Sequence, residues 1–166
     1  MTRISLSCLA MVIVFSQIAY AQSSIRLGAG GSKVVSDAAL ATSKFSLGYT
    51  AMAGLESPLG PVASILAEGG YVYNKISSAS SQSIIQANVG IKLNLPLLYL
   101  VGVIGLNRAK ITLNVGGIEL YATENNIGAG AGVGLNFGSL FSEARLYHSR
   151  AADSTYLLGI IGIQIP

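Results

Sequence analysis

The chain has 166 residues, of which 51% are hydrophobic and 10% are charged, and its formal net charge is +3. An ordinary soluble domain carries roughly 25% charged residues, so this chain has few of the groups that keep a protein surface hydrated. Its ten Lys and Arg residues are scattered along the sequence, which gives no basic run for a nucleic acid to bind. The length suits one domain better than two.

The N-terminal segment has the form of a secretory signal peptide. Arg3 precedes an apolar stretch over residues 4–19, and Ala19-Tyr20-Ala21 supplies the small residues of a cleavage site. This order of a positive start, an apolar centre and an A-x-A site is typical of exported proteins. We therefore expect residues 1–21 to be removed. The alternative, a retained anchor helix, would need a longer apolar run.

The expected mature domain, residues 22–166, has no cysteine, because Cys8 lies in the signal peptide. Disulfides, a thiol nucleophile and a thiolate metal site are thereby excluded from it. Its longest apolar run covers residues 97–106. A transmembrane helix needs about 20 such residues, whereas a transmembrane strand needs only about 9–11.

Apolar residues recur with period two along the mature chain. Over residues 126–137, for example, Ile127, Val133 and Leu135 alternate with glycine and asparagine. Such alternation is typical of strands with one apolar and one polar or small face. Eight strands are predicted, at residues 24–32, 45–56, 62–75, 83–94, 97–108, 126–137, 140–149 and 155–165. In the fifth and eighth, both faces are largely apolar, so their orientation stays open.

The predicted connections alternate in length. Those at residues 57–61, 95–96 and 138–139 are tight, and those at residues 33–44, 76–82, 109–125 and 150–154 are longer and polar. An even number of strands with short turns at one end and long loops at the other is the architecture of outer-membrane barrels. The fold class predicted is therefore all-β, an antiparallel up-and-down transmembrane barrel. Residues 111–121 alternate around Gly116-Gly117, which predicts a protruding hairpin.

Alternation alone does not say which face of the barrel is inside, and three features favour apolar faces turned to lipid. The opposite faces carry glycine and small polar residues, whereas a soluble exterior needs Lys and Glu. A closed sheet is the one β structure that satisfies its backbone in hydrocarbon. Tyrosines lie near predicted strand ends, as in aromatic girdles; they are Tyr71, Tyr73, Tyr99, Tyr147 and Tyr156.

The alternative is a soluble exported barrel, similar to lipocalins, that binds an apolar ligand. It would place the same apolar faces around an internal cavity. The residues lining that cavity would be Ile85, Val89, Ile91, Val133 and Leu135.

The expected mature chain resembles a known family over its whole length, and the segments that show this best lie in its C-terminal half. The glycine-alternating strand over residues 128–137, the tight turn, the strand over residues 141–148 and the closing strand over residues 157–163 are similar to the small outer-membrane β-barrel domain family (OmpA/OmpX-like). The resemblance implies a porin-like, eight-stranded barrel in the outer membrane. Its role would be non-enzymatic: envelope structure, surface contact through the long loops, or limited passage of small solutes.

The partners expected from this resemblance are outer-membrane lipid, the barrel-assembly machinery during biogenesis and a surface ligand at the long loops. We expect a monomer that needs no cofactor. Chains of the family usually finish on an aromatic residue that the assembly machinery recognises, whereas this one ends Gln164-Ile165-Pro166. Either Ile165 substitutes for the aromatic residue, or insertion is less efficient, or the protein does not use that machinery.

If the apolar faces look outward, a set of polar and charged residues points into the lumen. An eight-stranded barrel is just wide enough for side chains to fill, and buried opposite charges should pair. We therefore expect an internal network of salt bridges and hydrogen bonds; the alternative is a narrow polar path for ions. The residues of this lumen network are Arg26, Glu68, Gln86, Asn88, Lys92, Glu143 and Arg145.

An enzymatic alternative rests on His148, the one histidine of the chain. A serine, a histidine and a carboxylate could support lipid hydrolysis, and Ser149 and Glu143 are close in sequence. Adjacent residues of a strand face opposite sides, however, so His148 and Ser149 should diverge. No catalytic, cofactor-binding or metal-binding residue is assigned.

Overall fold

The computed structural model describes residues 23–37, 47–77 and 79–166. The expected signal peptide, most of the first long loop and the first two residues of the second predicted strand lie outside these ranges. The described residues form eight strands, and they include no helix that is long and apolar enough to span a membrane. The strands are β1 Ser24–Asp37, β2 Leu47–Pro58, β3 Ala63–Lys75, β4 Ser80–Asn94, β5 Leu98–Val115, β6 Ile118–Phe137, β7 Leu140–Ser149 and β8 Ser154–Ile165.

The strands close into a barrel in which each pairs antiparallel with its neighbours in sequence. The last ladder joins the first and last of these strands, with Ile25 of β1 opposite Ile165 of β8. Closure leaves no unpaired sheet edge, which is the condition for a β structure to exist in hydrocarbon. The predicted fold class is confirmed.

The β5–β6 connection differs from the sequence prediction. Residues 109–125 were expected to be a long loop, but both strands continue through this region until Val115 pairs with Ile118. Gly116 and Gly117 form the two-residue turn with φ of +62° and +88°, which suits a hairpin whose central residues need positive φ. The protruding hairpin was predicted, but the strands that build it are longer than expected because the alternation continues to the Gly-Gly turn.

The outer face of the barrel is apolar. Ile85, Val89 and Ile91 on β4 are 60%, 59% and 55% exposed, and Val133 and Leu135 on β6 also face outward. These residues line no internal cavity, so the soluble, ligand-binding alternative placed them on the wrong side of the sheet.

Side-chain exposure also shows the orientation of β5 and β8, which the sequence left open. In β5, Ile104 is exposed while Val101 and Val103 are buried. In β8, Ile161 is exposed while Leu158 is buried. Both strands therefore place apolar side chains on the outer surface and in the lumen alike.

Candidate functional site in the barrel lumen

Six charged side chains from five strands lie inside the barrel, each at most 7% exposed. Three are basic and three are acidic, so their formal charges cancel. The six are Arg26 of β1, Glu56 of β2, Glu68 of β3, Lys92 of β4, and Glu143 and Arg145 of β7.

Glu56 organises the part of the lumen near the short turns. The Nζ of Lys92 donates to both carboxylate oxygens of Glu56, at 3.0 and 2.9 Å. The Nε of Arg26 lies 3.6 Å from the same carboxylate. The guanidinium of Arg26 also lies 4.3 Å from the centre of the Phe141 ring, and Nζ of Lys92 lies 4.5 Å from that of Tyr99. Both cations are thus held by a carboxylate and an aromatic face.

Glu143 joins this part of the lumen to the part nearer the long loops. One of its oxygens accepts from Arg26, at 3.2 Å, and from the hydroxyl of Tyr99, at 3.0 Å. The other accepts from Nε of Arg145, at 2.7 Å. The guanidinium of Arg145 also makes a two-contact pair with Glu68. The result is an unbroken row of alternating charges: Lys92, Glu56, Arg26, Glu143, Arg145 and Glu68.

Neutral side chains extend the row toward the loop end. The amide of Asn88 donates to Glu68 at 3.3 Å. The hydroxyl of Tyr147 lies 3.0 Å from the amide oxygen of Asn88 and 2.7 Å from that of Asn107. Asn107 in turn donates to Ser149 at 3.0 Å. Hydrogen-bonded polar side chains from β4, β5 and β7 therefore continue the row toward the loop end.

All seven residues singled out from the sequence lie inside the barrel: Arg26, Glu68, Gln86, Asn88, Lys92, Glu143 and Arg145. Six of them join the row or its extension. Gln86 is the exception, because its side-chain oxygen accepts no hydrogen bond from any described residue. Its amide end packs instead against the backbone position of Gly70.

The tyrosine prediction was wrong for three of its five residues. Tyr99, Tyr147 and Tyr156 are 0% exposed and point into the lumen, so they do not belong to an aromatic girdle. For Tyr147, a signal was available, since it shares the strand parity of Glu143 and Arg145. Tyr71 and Tyr73 do lie on the outer face, together with Tyr49, which stacks on Tyr73 at 5.1 Å between ring centres.

Sequence reasoning also missed Glu56, Asn107 and Ser149 as members of the interior network. Glu56 was seen on the polar side of its strand, but it stands at the strand end, where the turn was expected to begin. Asn107 sits on a strand whose two faces are both apolar, so no parity signal was available for it.

Lumen-facing glycines make room for these large side chains. A Cβ added to Gly134 would overlap the ring of Tyr99, and one added to Gly128 would overlap the amide of Asn107. The glycine alternation of β6 therefore reflects close packing against tyrosine and asparagine, and not a water-filled passage along that strand.

Both ends of the row are bounded. Toward the long loops, the hydroxyl of Tyr156 donates to Gln82 at 2.5 Å, and Val72 and Ile84 pack in the lumen with 1% exposure each. Toward the short turns, a polar recess of about 520 Å³ opens to the outside. Glu56 and Lys92 form part of its lining, so the charged row ends at the inner wall of the recess.

The three residues considered for the enzymatic alternative do not lie together. His148 is exposed on the outer face, where its Nδ1 lies 3.1 Å from the hydroxyl of Thr155. Ser149 is fully buried on the lumen side and Glu143 is committed to two arginines. His148 and Ser149 therefore face opposite sides of the strand, as strand geometry predicted. Within the described ranges, no three His, Cys, Asp or Glu residues are grouped as a metal site.

Comparison with known structures identifies the fold. The attachment invasion locus protein Ail of Yersinia pestis is 16% identical, with 87% of this chain and 97% of that chain covered and a TM-score of 0.61. The N-terminal β-barrel domain of Pseudomonas aeruginosa OprF is 15% identical (87% and 98% covered, TM-score 0.60), and Neisserial surface protein A is 12% identical (86% and 96%, TM-score 0.56). No family model and no curated protein matches the sequence. The fold is that of the small eight-stranded outer-membrane barrels.

Proposed function

We propose that this chain is an integral outer-membrane protein with a non-enzymatic role in the envelope, exported by a signal peptide over residues 1–21. Its barrel is a closed structural element that presents the β5–β6 hairpin and the other long connections to the outside. The observation that carries the proposal is the inverted polarity of the barrel, with apolar side chains outside and paired charges inside.

The outer surface supports insertion in a bilayer. Between the short turns and the level of Arg108, the outward positions of the described strands carry no charged residue. Large apolar side chains on that surface include Leu27, Leu55, Val89 and Ile104. A lipid-facing apolar band of this kind is the distinguishing feature of a transmembrane barrel, whereas a soluble protein of this size rarely exposes so much contiguous apolar surface.

The lumen supports a structural role in preference to solute passage. Each of its six charges has an opposite partner within 4 Å. An ion that crossed the barrel would have to break at least one of these pairs, and separating a buried pair leaves an uncompensated charge. We expect conductance of the native protein to be indistinguishable from that of the bare membrane.

The hairpin supports a surface-contact role. β5 and β6 extend past the barrel, and Tyr121, Leu120 and Ile118 on this extension are exposed. Ail has been solved in complex with the heparin analogue sucrose octasulfate. A surface ligand for the present chain would be sought at the corresponding loop end.

One experiment tests location and fold together. Membranes of expressing cells are washed with carbonate and the protein is run on a gel with and without boiling. Retention in the outer-membrane pellet and faster migration of the unboiled sample are the expected results, and N-terminal sequencing should begin at Gln22. Release by carbonate, or recovery free in the periplasm, would overturn the proposal.

Conductance separates a closed barrel from a pore. The purified protein is inserted in planar bilayers beside a known porin as a positive control. Discrete, reproducible channel openings of the native protein would overturn the closed-lumen part of the proposal and leave the membrane location intact.

A further inference from the structure

The positive charges of the described strands fall into two groups. Arg26, Lys92 and Arg145 lie in the lumen. The others on the strands face outward near the long loops. They are Lys33 on β1, Lys75 on β3, and Arg108 and Lys110 on β5.

Strand pairing brings three of these cations, scattered in sequence, onto one side of the barrel. Lys75 is opposite Ser81 of β4, and Lys110 is opposite Ser83, two residues along the same strand. Because neighbouring strands are about 4.8 Å apart, Lys75 and Lys110 lie on the order of 10 Å from each other. Arg108 follows on the same face of β5. Lys75, Arg108 and Lys110 are called the basic patch below.

The basic patch lies where the apolar band ends. On β5, the outward residues run from Ile104 and Leu106, both exposed and apolar, directly to Arg108 and Lys110. On β3, Tyr73 occupies the same face immediately before Lys75, and tyrosines are enriched at the level of lipid headgroups. A bilayer that covers the band therefore places its headgroups at the patch.

The basic patch has no acidic partner in the described part of the chain. Lys75, Arg108 and Lys110 are exposed and make no ion pair within 4 Å there. The contact found for Lys110 is with the ring of Tyr121, whose centre lies 4.9 Å from Nζ. The nearest acid by strand pairing is Glu124, opposite Ala109, and its carboxylate accepts a hydrogen bond from Asn126 at 3.4 Å.

We infer that the basic patch binds the phosphate groups of a lipid headgroup in the outer leaflet, with the acyl chains of that lipid lying along the apolar band. The inference rests on the proposed membrane location, since the long loops of such barrels face outside. Arg and Lys are the side chains that bind phosphate, and clustered cations at a membrane surface attract anionic lipid. The spacing of the three cations suits a lipid with more than one phosphate.

Lipid retention by the purified, detergent-solubilised protein tests the inference. Native mass spectrometry compares diphosphorylated lipid A with the same lipid stripped of phosphate, and inorganic phosphate is added as a competitor. The variant K75Q/R108Q/K110Q removes the three charges and K75R/R108K/K110R keeps them. R150Q is a matched control, because Arg150 is an exposed cation in the β7–β8 turn outside the patch.

The native protein should retain the phosphorylated lipid about tenfold or more over the stripped one. The neutral triple variant should lose that preference, while the charge-keeping variant and R150Q keep it. Equal retention of the two lipids, or an unchanged preference in the neutral variant, would overturn the inference. Binding of inorganic phosphate as tight as that of the phosphorylated lipid would also overturn it, because the acyl chains would then contribute nothing and the site would bind a free anion.

Gel mobility of unboiled samples distinguishes a failure of lipid binding from a failure of the barrel to fold. If every variant migrates as a folded barrel and the two lipids bind equally, the inference about the basic patch is wrong and the proposed membrane location stands. If the neutral triple variant does not fold, R108Q/K110Q and K75Q are measured separately, and each must lose part of the preference for the inference to hold.

Discussion

The carboxylate of Glu143 on β7 lies 3.2 Å from the guanidinium of Arg26 on β1, two strands away in the closed barrel. Its second oxygen lies 2.6 Å from the guanidinium of Arg145. Glu143 is therefore the one described acid that joins two arginines, and it connects both halves of the charged row. All six charged side chains are therefore linked in one continuous row of ion pairs.

Replacing Glu143 with glutamine should destabilise the barrel strongly. The change leaves two buried arginines with one carboxylate fewer, and removing one partner of a buried pair typically costs about 3–5 kcal/mol. We expect a lower urea midpoint in refolded samples, read from the mobility shift of unboiled protein. The matched control is Glu124→Gln on the exposed hairpin, which should leave the midpoint in place. Equal midpoints for the two variants would show that Glu143 does not hold the interior together.

Replacing Glu68 with alanine should remove one of the two carboxylates that pair with Arg145. The guanidinium then keeps Glu143 as its one acidic partner, and the barrel should unfold at lower urea or begin to conduct ions as water enters. Unfolding midpoints and planar-bilayer recordings measure the two effects. Glu119→Ala, on the hairpin, is the comparison. If Glu68→Ala changes neither stability nor conductance, the carboxylate is not part of a buried network.

Gly134→Val should be destabilising although valine favours strands. The added Cβ would overlap the ring of Tyr99, and overpacking of this kind typically costs about 1–3 kcal/mol. The control is Gly102→Val on β5, where a Cβ meets nothing within 4 Å. Chemical denaturation of both variants should place Gly134→Val below the native protein and Gly102→Val near it. The reverse order would contradict the assignment of Gly134 to the lumen.

An arginine placed at Ile104 should oppose insertion, whereas one at Leu113 should not. Ile104 is 56% exposed in the middle of the apolar band and Leu113 is 46% exposed on the protruding hairpin, both on β5. Arginine on a lipid face near the midplane costs about 2–4 kcal/mol and much less near the interface. Folding yields into phosphatidylcholine vesicles should fall for Ile104→Arg alone. Similar losses for both variants would mean that the hairpin also lies in lipid.

The fold could be predicted because its signals are local. The alternation of apolar residues with period two predicted the strand positions. The Pro and Gly residues predicted the tight turns between them. The β5–β6 region was predicted as a loop because its polar residues, such as Asn114 and Thr123, were read as a connection. Strand pairing beyond the apolar band tolerates polar residues on both faces, so composition alone did not distinguish a loop from a hairpin there.

The interior could be predicted only in part, because it depends on which face of each strand turns inward. Glu68, Lys92 and Glu143 stand on strands whose opposite face is apolar, so parity placed them correctly. Tyr99 stands on β5, where both faces are apolar, and proximity to a strand end suggested a girdle instead. Which acid contacts which cation depends on barrel register, which no local pattern contains.

The β1–β8 ladder has a consequence for biogenesis. The other seven ladders join strands that follow one another in sequence, so each can form as a hairpin soon after its residues emerge. The eighth pairs Arg26 of β1 with Gln164 of β8. It must wait for β8, and its formation carries the loop-closure entropy of a long separation in sequence. Until then, the backbone edge of β1 is open to strands of other molecules. A chain whose β8 has not yet paired should therefore aggregate unless a chaperone shields that edge.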